Sequence, residues 1–333
     1  MNYMRIIFKK FKARMIVGCI LAVIALLAVS VIVFINQASF GRTPRGERLE
    51  RVMKSPNYRN GEFKNQHETL LMTSDRGRFS GIWEFIFRKI DGLRPEQAVK
   101  AIKTDLRKIG RNEEILVWFG HSSYLIQTGG KRILVDPVFC MASPVSFVNK
   151  PFKGTELYTP DDMPDIDYLV ISHDHWDHLD YNTVKKLKDR IGAVICPLGV
   201  GEHFEYWGFD KERLIELDWN EDANLAPGFM IHCLPARHFS GRRLTANQSL
   251  WASFLLEAPS QKIYIGGDGG YDTHYAEIGN RFPGIDLAIL ENGQYNEEWS
   301  LIHLMPQYMA QTARDLKAKR VLTVHHSKYA LAK

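Results

Sequence analysis

Four cysteines in 333 residues are too few, and too unevenly placed, to staple this chain. Cys19 sits in an apolar run. Cys140, Cys196 and Cys233 form an odd set without paired spacing, so no disulfide framework is implied and all three read as small buried apolar residues. No Gly-x-Ser-x-Gly turn occurs, which removes the serine-hydrolase pattern built on it, and no Gly-x-x-x-x-Gly-Lys-Ser/Thr loop occurs, which removes nucleotide-driven chemistry. Internal repeats of short period and low-complexity tracts are also missing. A real excess of positive charge is missing too. The formal charge is +5, but taking Arg5, Lys9, Lys10, Lys12 and Arg14 from the 43 basic residues leaves 38, equal to the 38 acidic ones. A neutral body without a basic stripe argues against a nucleic-acid module.

What is present begins with Met15 to Ile35, an uncharged apolar run of about 21 residues, long enough to cross a bilayer as a helix. The run exceeds a typical secretory core, and Asn36-Gln37-Ala38-Ser39-Phe40 offers no clear small-x-small cleavage site. The expectation is an uncleaved, single-pass signal anchor at 15–35. The basic tail 1–14 would be cytoplasmic and the catalytic part on the non-cytoplasmic side. Arg42, Arg45, Arg48, Arg51 and Lys54 behind the run weaken that bias. The alternative, a cleaved signal peptide, leads to the same compartment.

Residues 36–110 read as a linker and N-terminal helical extension. Pro44, Gly46, Pro56, Asn60 and Gly61 punctuate its first half. Trp83, Phe85, Ile86, Phe87 and Ile90 suggest a short aromatic helix. Ala98, Val99, Ile102, Leu106 and Ile109 recur at helical spacing behind Pro95. Both would pack on the remaining domain or pair with a second chain as a homodimer. The aromatic one could instead lie in the membrane interface.

From residue 111 to 333 the pattern changes. Short apolar runs at Ile115–Phe119, Tyr124–Gln127 and Ile133–Val135 read as strands, with a Gly129-Gly130 hairpin turn. Further strands are expected at Leu169–Ser172, Ala193–Cys196, Met230–Leu234, Ser249–Leu256, Lys262–Ile265, Leu287–Leu290 and Val321–Val324. Helices are expected around Thr183–Arg190, Gly201–Tyr206 and Pro306–Ala318. Hairpins first, then strands alternating with helices, fit an α/β fold of two mixed sheets with helices outside, in four layers.

Within that domain, Ser172-His173-Asp174-His175-Trp176-Asp177-His178 places three histidines and a carboxylate in a His-x-His-x-Asp-His pattern, on a loop behind a buried strand. Imidazole nitrogens and carboxylate oxygens suit a borderline metal such as zinc. His173 and His175 alternate and could face one metal, while Asp177 and His178 would point toward a second. Further polar residues follow expected strands: His238, Asp268 and His325. His67, His203, His232 and His274 read as ordinary surface or core residues. His121 and Ser122, in a Gly-His-Ser-Ser turn, either shape a hairpin or reach a pocket.

This set resembles the metallo-β-lactamase superfamily. Val117-Trp118-Phe119-Gly120-His121-Ser122-Ser123, Asp136-Pro137-Val138-Phe139, Pro197-Leu198-Gly199-Val200-Gly201 and Leu234-Pro235-Ala236-Arg237-His238-Phe239-Ser240-Gly241-Arg242 are similar to its N-acylphosphatidylethanolamine-hydrolysing phospholipase D group. The resemblance covers about residues 40–333 and implies an αββα sandwich holding two zinc ions, with manganese or iron as substitutes. His173, His175 and His238 match the ligands of one ion, Asp177, His178 and His325 those of the other, and Asp268 the bridging carboxylate. His303 matches an active-site histidine that binds no metal. His326 competes with His325, whose spacing from His303 is the better match. By this resemblance the partners are the membrane and a phospholipid substrate cleaved at its phosphodiester, with Asp177 and His303 as catalytic groups. A lactonase or sugar-phosphate hydrolase on the same fold is the alternative, and a non-catalytic membrane protein with structural metals is a third. Members of the group usually continue some tens of residues beyond the last histidine, so a shortened C-terminus is also expected.

Overall fold

A computed structural model of the chain describes residues 2–73, 91–145, 147–293 and 295–332. It forms two compact units, Met1–Phe40 and Gly41–Lys333. The first unit is helix α1 (Asn2–Ile35), closed by a 3₁₀ turn at Ala38–Phe40. Its stretch Lys10–Ile35 is, by length and composition, long and apolar enough to cross a membrane. The aromatic helix expected at 83–90 lies outside the described residues.

In the second unit, α2 (Gly46–Lys54) and a small hairpin, β1 (Tyr58–Arg59) with β2 (Glu62–Phe63), come from the stretch read as a linker. Val52 and Phe63 are fully buried in the main core, which makes them part of the domain. The helix expected over 98–109 does not form. Residues 91–105 are irregular, and only a 3₁₀ turn, Leu106–Lys108, follows. The physical reason is where the backbone donors go. Val99 N–H donates to Lys153 O at 2.7 Å and Thr104 N–H to the Tyr158 hydroxyl at 2.7 Å, so the segment is pinned in extended form across the domain. Ile102 is left exposed.

Two six-stranded mixed sheets carry the rest, as the sequence pattern anticipates. The first runs in order through β3 (Ile115–Trp118), β4 (Tyr124–Thr128), β5 (Lys131–Val135), β6 (Ile166–Val170), β7 (Ile191–Pro197) and β8 (Leu214–Leu217). The second contains β9 (Asp222–Ala226), β10 (Phe229–Leu234), β11 (Ser253–Glu257), β12 (Lys262–Ile265), β13 (Leu287–Glu291) and β14 (Val321–Val324), again in sequence order. Each begins as an antiparallel meander and ends as parallel strands.

Side chains alternate across each strand, so both faces must be apolar where both are covered. Tyr124, Ile126, Ile133, Val135, Tyr168 and Val170 face the second sheet's Ile231, Cys233, Phe254, Leu256, Ile263 and Ile265. Their odd-phase neighbours Leu125, Leu134 and Leu169 face outward and pack with Val184 and Leu187 of α3 (Tyr181–Leu187) and Phe204 of α4 (Gly201–Tyr206). On the opposite outer face, Leu255, Tyr264 and Ala288 pack with Tyr275 and Ile278 of α5 (His274–Arg281), and Leu316 follows α6 (Met309–Asp315) there. Strands β8 and β9 and helix α5 go unnoticed in the sequence. Each is short, and β9 (Asp-Ala-Asn-Leu-Ala) lacks the β-branched and aromatic residues that mark strands.

The parallel strands end at one rim of the seam between the sheets. Gly267 sits there with φ +61°, where a Cβ would come 2.8 Å from Ser172 Cβ and 3.0 Å from Ala252 O. Only glycine lets the strand β12 loop pass so close to the β6 loop.

Candidate metal centre

Strand β6 hands its chain to the His-rich run at this rim. The loop closes one turn there: His178 N–H and Leu179 N–H both donate to His175 O, at 3.1 and 2.8 Å. That turn separates two sets of candidate donors. His173 Nε2 and His238 Nε2 lie 2.8 and 3.3 Å from His175 Nδ1, and the three rings form one buried donor cluster. Nitrogens about 2.0–2.1 Å from a tetrahedral zinc would be roughly 3.3 Å apart. The second cluster joins Asp177, His178 and His325 with His121. Asp177 Oδ2 is 3.0 Å from His121 Nε2, 3.6 Å from His325 Nε2 and 3.7 Å from His178 Nε2.

Asp268, on the loop after β12, reaches both clusters. Its Oδ2 is 3.0 Å from His325 Nε2, 3.2 Å from His178 Nε2 and 3.8 Å from His238 Nε2. His303 ring-stacks on His325 at 5.3 Å and meets His238 edge-on at 5.2 Å. His326 turns away: its ring lies 4.8 Å from Trp118 and its nitrogens approach Ser327 and Thr323, so His325 takes the place in the cluster. Ser122 is buried with no hydrogen-bond partner for its hydroxyl among the described residues, and it joins neither cluster.

The rings are held by groups behind them. His238 Nδ1 must donate to the Ile302 carbonyl at 2.8 Å, which leaves the Nε2 lone pair for a metal. His178 Nδ1 donates to Asp136 Oδ2 at 2.9 Å, and Asp136 also accepts from the Ser172 N–H and hydroxyl at 2.8 and 2.6 Å. Asp174 points the other way, accepting from Gly241 N, Ser249 Oγ and His203 Nε2 at 2.7, 2.9 and 3.1 Å. His203 is thus a buried support, the core alternative of the sequence reading. His121, Asp136 and His325 all have positive φ, 54°, 40° and 68°, a backbone cost that persists at sites which need it.

Asp136 and Glu291 are site residues that sequence reasoning overlooks. Glu291 is the last residue of β13 and fully buried against His303. The rule that selects Asp268 and His325, a polar group at a strand's carboxyl end, would have found both.

Charge shows what the clusters lack. Burial disfavours every ion here, yet the carboxylates stay ionised and the histidines compensate. Burial pulls His178 down, but Asp268, Asp177 and Asp136 raise it to about 10. His325 is also raised, burial being outweighed by Asp268 and Asp177. His238 and His121 go to about 3, driven by burial. Protons on His178 and His325 thus stand where a cation would serve the carboxylates. His178 Nε2 and Asp268 Oδ1 are buried without hydrogen-bond partners among the described residues. Convergent nitrogens, excess buried carboxylate and orphaned donor atoms fit a pair of divalent metal ions. A cleft of about 450 Å³ opens beside His238, lined by Phe63, Lys64, Asn65, His67, Phe239 and Trp251.

Comparison with known proteins bears on the family and the fold. An uncharacterized protein of Mycobacterium tuberculosis is 36% identical over 288 residues, 84% of this chain and 76% of its own. The N-acyl-phosphatidylethanolamine-hydrolyzing phospholipase D 1 of Caenorhabditis elegans is 29% identical over 231 residues, 64% of each chain. Among solved structures, Igni18, a metallo hydrolase from Ignicoccus hospitalis, matches with a TM-score of 0.51 at 20% identity, over 63% of this chain and 82% of that one, a likeness of fold. Residues 131–326 match the family model described as a beta-lactamase superfamily domain. The two mixed sheets, the strand-end histidines and that match make this chain a metal-dependent hydrolase of the metallo-β-lactamase superfamily, with N-acylphosphatidylethanolamine-hydrolysing phospholipases D among its distant relatives.

Proposed function

We propose that this protein is a membrane-anchored, two-metal phosphodiesterase that cleaves N-acylphosphatidylethanolamine or a related phospholipid, releasing phosphatidic acid and an N-acylethanolamine. The observation that carries the two-metal reading is Asp268 Oδ2 lying against donors of both clusters. The phospholipid is supported by the likeness to the C. elegans enzyme and by the apolar helix. That helix would span the bilayer at 15–35, with the hydrolase unit on the non-cytoplasmic side, and keep site and lipid on one surface.

His173, His175 and His238 would hold one ion, and Asp177, His178 and His325 the other, with Asp268 between them. Two such ions, when bound, supply Lewis acidity and lower the pKa of water they hold. Asp177, fixed by His121 at 3.0 Å, orients the attacking water on the phosphorus. The new O–P bond forms as the P–O bond to the ethanolamine carbon chain breaks. His303, its Nδ1 engaged by Glu291, offers Nε2 to the phosphoryl or leaving oxygen. The leaving alkoxide takes up the proton given by the water. The cleft is lined in part by Lys64, whose ammonium pairs with Glu62, and by Phe239, whose ring packs on His175 and His238.

The test is turnover by purified, zinc-loaded full chain. Release of phosphatidic acid from N-acylphosphatidylethanolamine in mixed micelles is expected. Hydrolysis of a soluble lactone or sugar phosphate with no phospholipid turnover would sink the lipid reading, and no turnover of either would point to structural metals.

A further inference from the structure

Glu291 makes more contacts in the site than a packing residue needs. Its Oε1 accepts from Gly269 N–H at 2.9 Å and Leu304 N–H at 3.0 Å, the residues following Asp268 and His303. Its Oε2 is 2.9 Å from His303 Nδ1 and 3.4 Å from His325 Nδ1. One buried carboxylate therefore ties together the loops after β12 and β14 and the loop that carries His303.

We propose that Glu291 is a positioning residue that fixes the Nδ1–H tautomer of both His303 and His325, and so turns the His325 Nε2 lone pair toward the second metal. An ionised carboxylate only accepts hydrogen bonds, so any ring nitrogen facing it must carry the proton. For His325 the proton is then on Nδ1. His325 Nε2, 3.0 Å from Asp268 Oδ2, carries a proton of its own while no metal is bound; a metal displaces that one, and the Nδ1 proton facing Glu291 then keeps Nε2 as the donor. For His303 the same rule fixes one proton on Nδ1 and leaves Nε2 as the nitrogen that carries a proton to a substrate oxygen. Glu291, His303 and His325 also offer three donor atoms within 4.8 Å of one another. The 2.9 Å contact to His303 has the length of a hydrogen bond, which favours a shared proton over a third ion. The inference rests on His325 being a ligand, as proposed above, but not on the identity of the substrate.

Two substitutions separate tautomer control from space filling. Glu291→Gln keeps the volume but turns an N–H₂ donor toward the rings, which demands a lone pair on Nδ1 and moves the His325 proton to Nε2. Glu291→Asp is shorter but still accepts only. The measurement is zinc titration and metal content of the metal-stripped full chain, with the melting temperature of the stripped protein alongside. Expected is a second-metal affinity ordered Glu above Asp above Gln, with Gln weakened roughly 10–100-fold and first-metal binding and the stripped melting temperature little changed. The order Glu above Gln above Asp, or equal binding in all three, would overturn tautomer control. A third equivalent of zinc in the wild type, lost in both variants, would make Glu291 a ligand and also overturn it. If Glu291→Gln does not fold, Glu291→Asp alone decides: a second zinc still bound with a melting temperature near wild type supports the proposal, and its complete loss overturns it. Wild type that takes up only one zinc would defeat the ligand assignment of His325 itself.

Discussion

Asn65 holds His238 at both ends of its backbone: Asn65 Nδ2 donates to His238 O at 2.8 Å, and Asn65 Oδ1 accepts from His238 N–H at 3.1 Å. The same Oδ1 accepts from Trp251 Nε1 at 3.1 Å. A residue 173 positions away in the chain thus sets the pose of a candidate ligand. Asn65→Ala should cost about 2–3 kcal/mol in urea unfolding, because buried partners lose their hydrogen bonds. It should also weaken first-metal binding roughly tenfold. Isothermal titration of the stripped protein with zinc checks the second effect, and unchanged affinity would show that the loop stands without Asn65.

Metal analysis of single-ligand variants tests the division of the clusters. His173→Ala and His178→Ala should each retain about one of two metal equivalents, since each removes a donor from one cluster only. Asp268→Ala touches both and should fall further than either. Equal metal content in wild type and all three variants would defeat the assignment.

Asp174 predicts a pH effect. Burial opposes its charge, but the His203 hydrogen bond and charge outweigh burial and hold it near 2, against 3.8 for a free side chain. Its folded-state value is depressed, so its contribution is present above about pH 4 and lost as pH falls through about 2. The shift corresponds to about 2 kcal/mol. Urea melts from pH 2 to 5 should show wild type losing more stability toward low pH than Asp174→Asn. Parallel curves would rule the contribution out.

Arg48 predicts a large stability effect far from the metals. Its guanidinium lies 2.7 Å from Glu202, 2.9 Å from Glu205 and 2.5 Å from Glu216, and Glu202 is almost fully buried. Arg48→Met leaves buried carboxylates short of a cation, and about 3–5 kcal/mol should be lost. Chemical denaturation reads this directly. A loss below about 1 kcal/mol would mean that Arg42 and Arg45, 2.5 and 3.4 Å from Glu202, neutralise it without Arg48.

How much of this was legible beforehand follows from the kind of signal each part emits. Strands with both faces covered, such as Tyr124–Thr128 and Lys131–Val135, announce themselves as apolar runs, and the ligand loop announces itself by composition. Ala98 to Ile109 misled because helical spacing says nothing of competing partners: Lys153 O and Tyr158 Oη take the backbone donors instead. Glu291 stayed hidden because a single carboxylate after a strand resembles any surface acid until the fold buries it, and Asp136, quoted within Asp136-Pro137-Val138-Phe139, showed its role only once the fold set it behind His178. His121 was readable either as a hairpin residue or as one reaching a pocket, with nothing in the sequence to decide between them. Its approach to Asp177 depends on two loops 56 residues apart meeting at one rim.

The order of the strands carries a consequence for biosynthesis. The first sheet is complete at Leu217 and brings His173, His175, Asp177 and His178, whereas His238, Asp268 and His325 arrive in turn with the second. A nascent chain therefore displays half-formed donor sets for as long as its second half takes to emerge. Such open sets bind ions weakly and release them readily. Only when β14 pairs beside β13 and brings His325 into place would the second set close, so firm metal capture would mark a chain in which β14 has been made and docked.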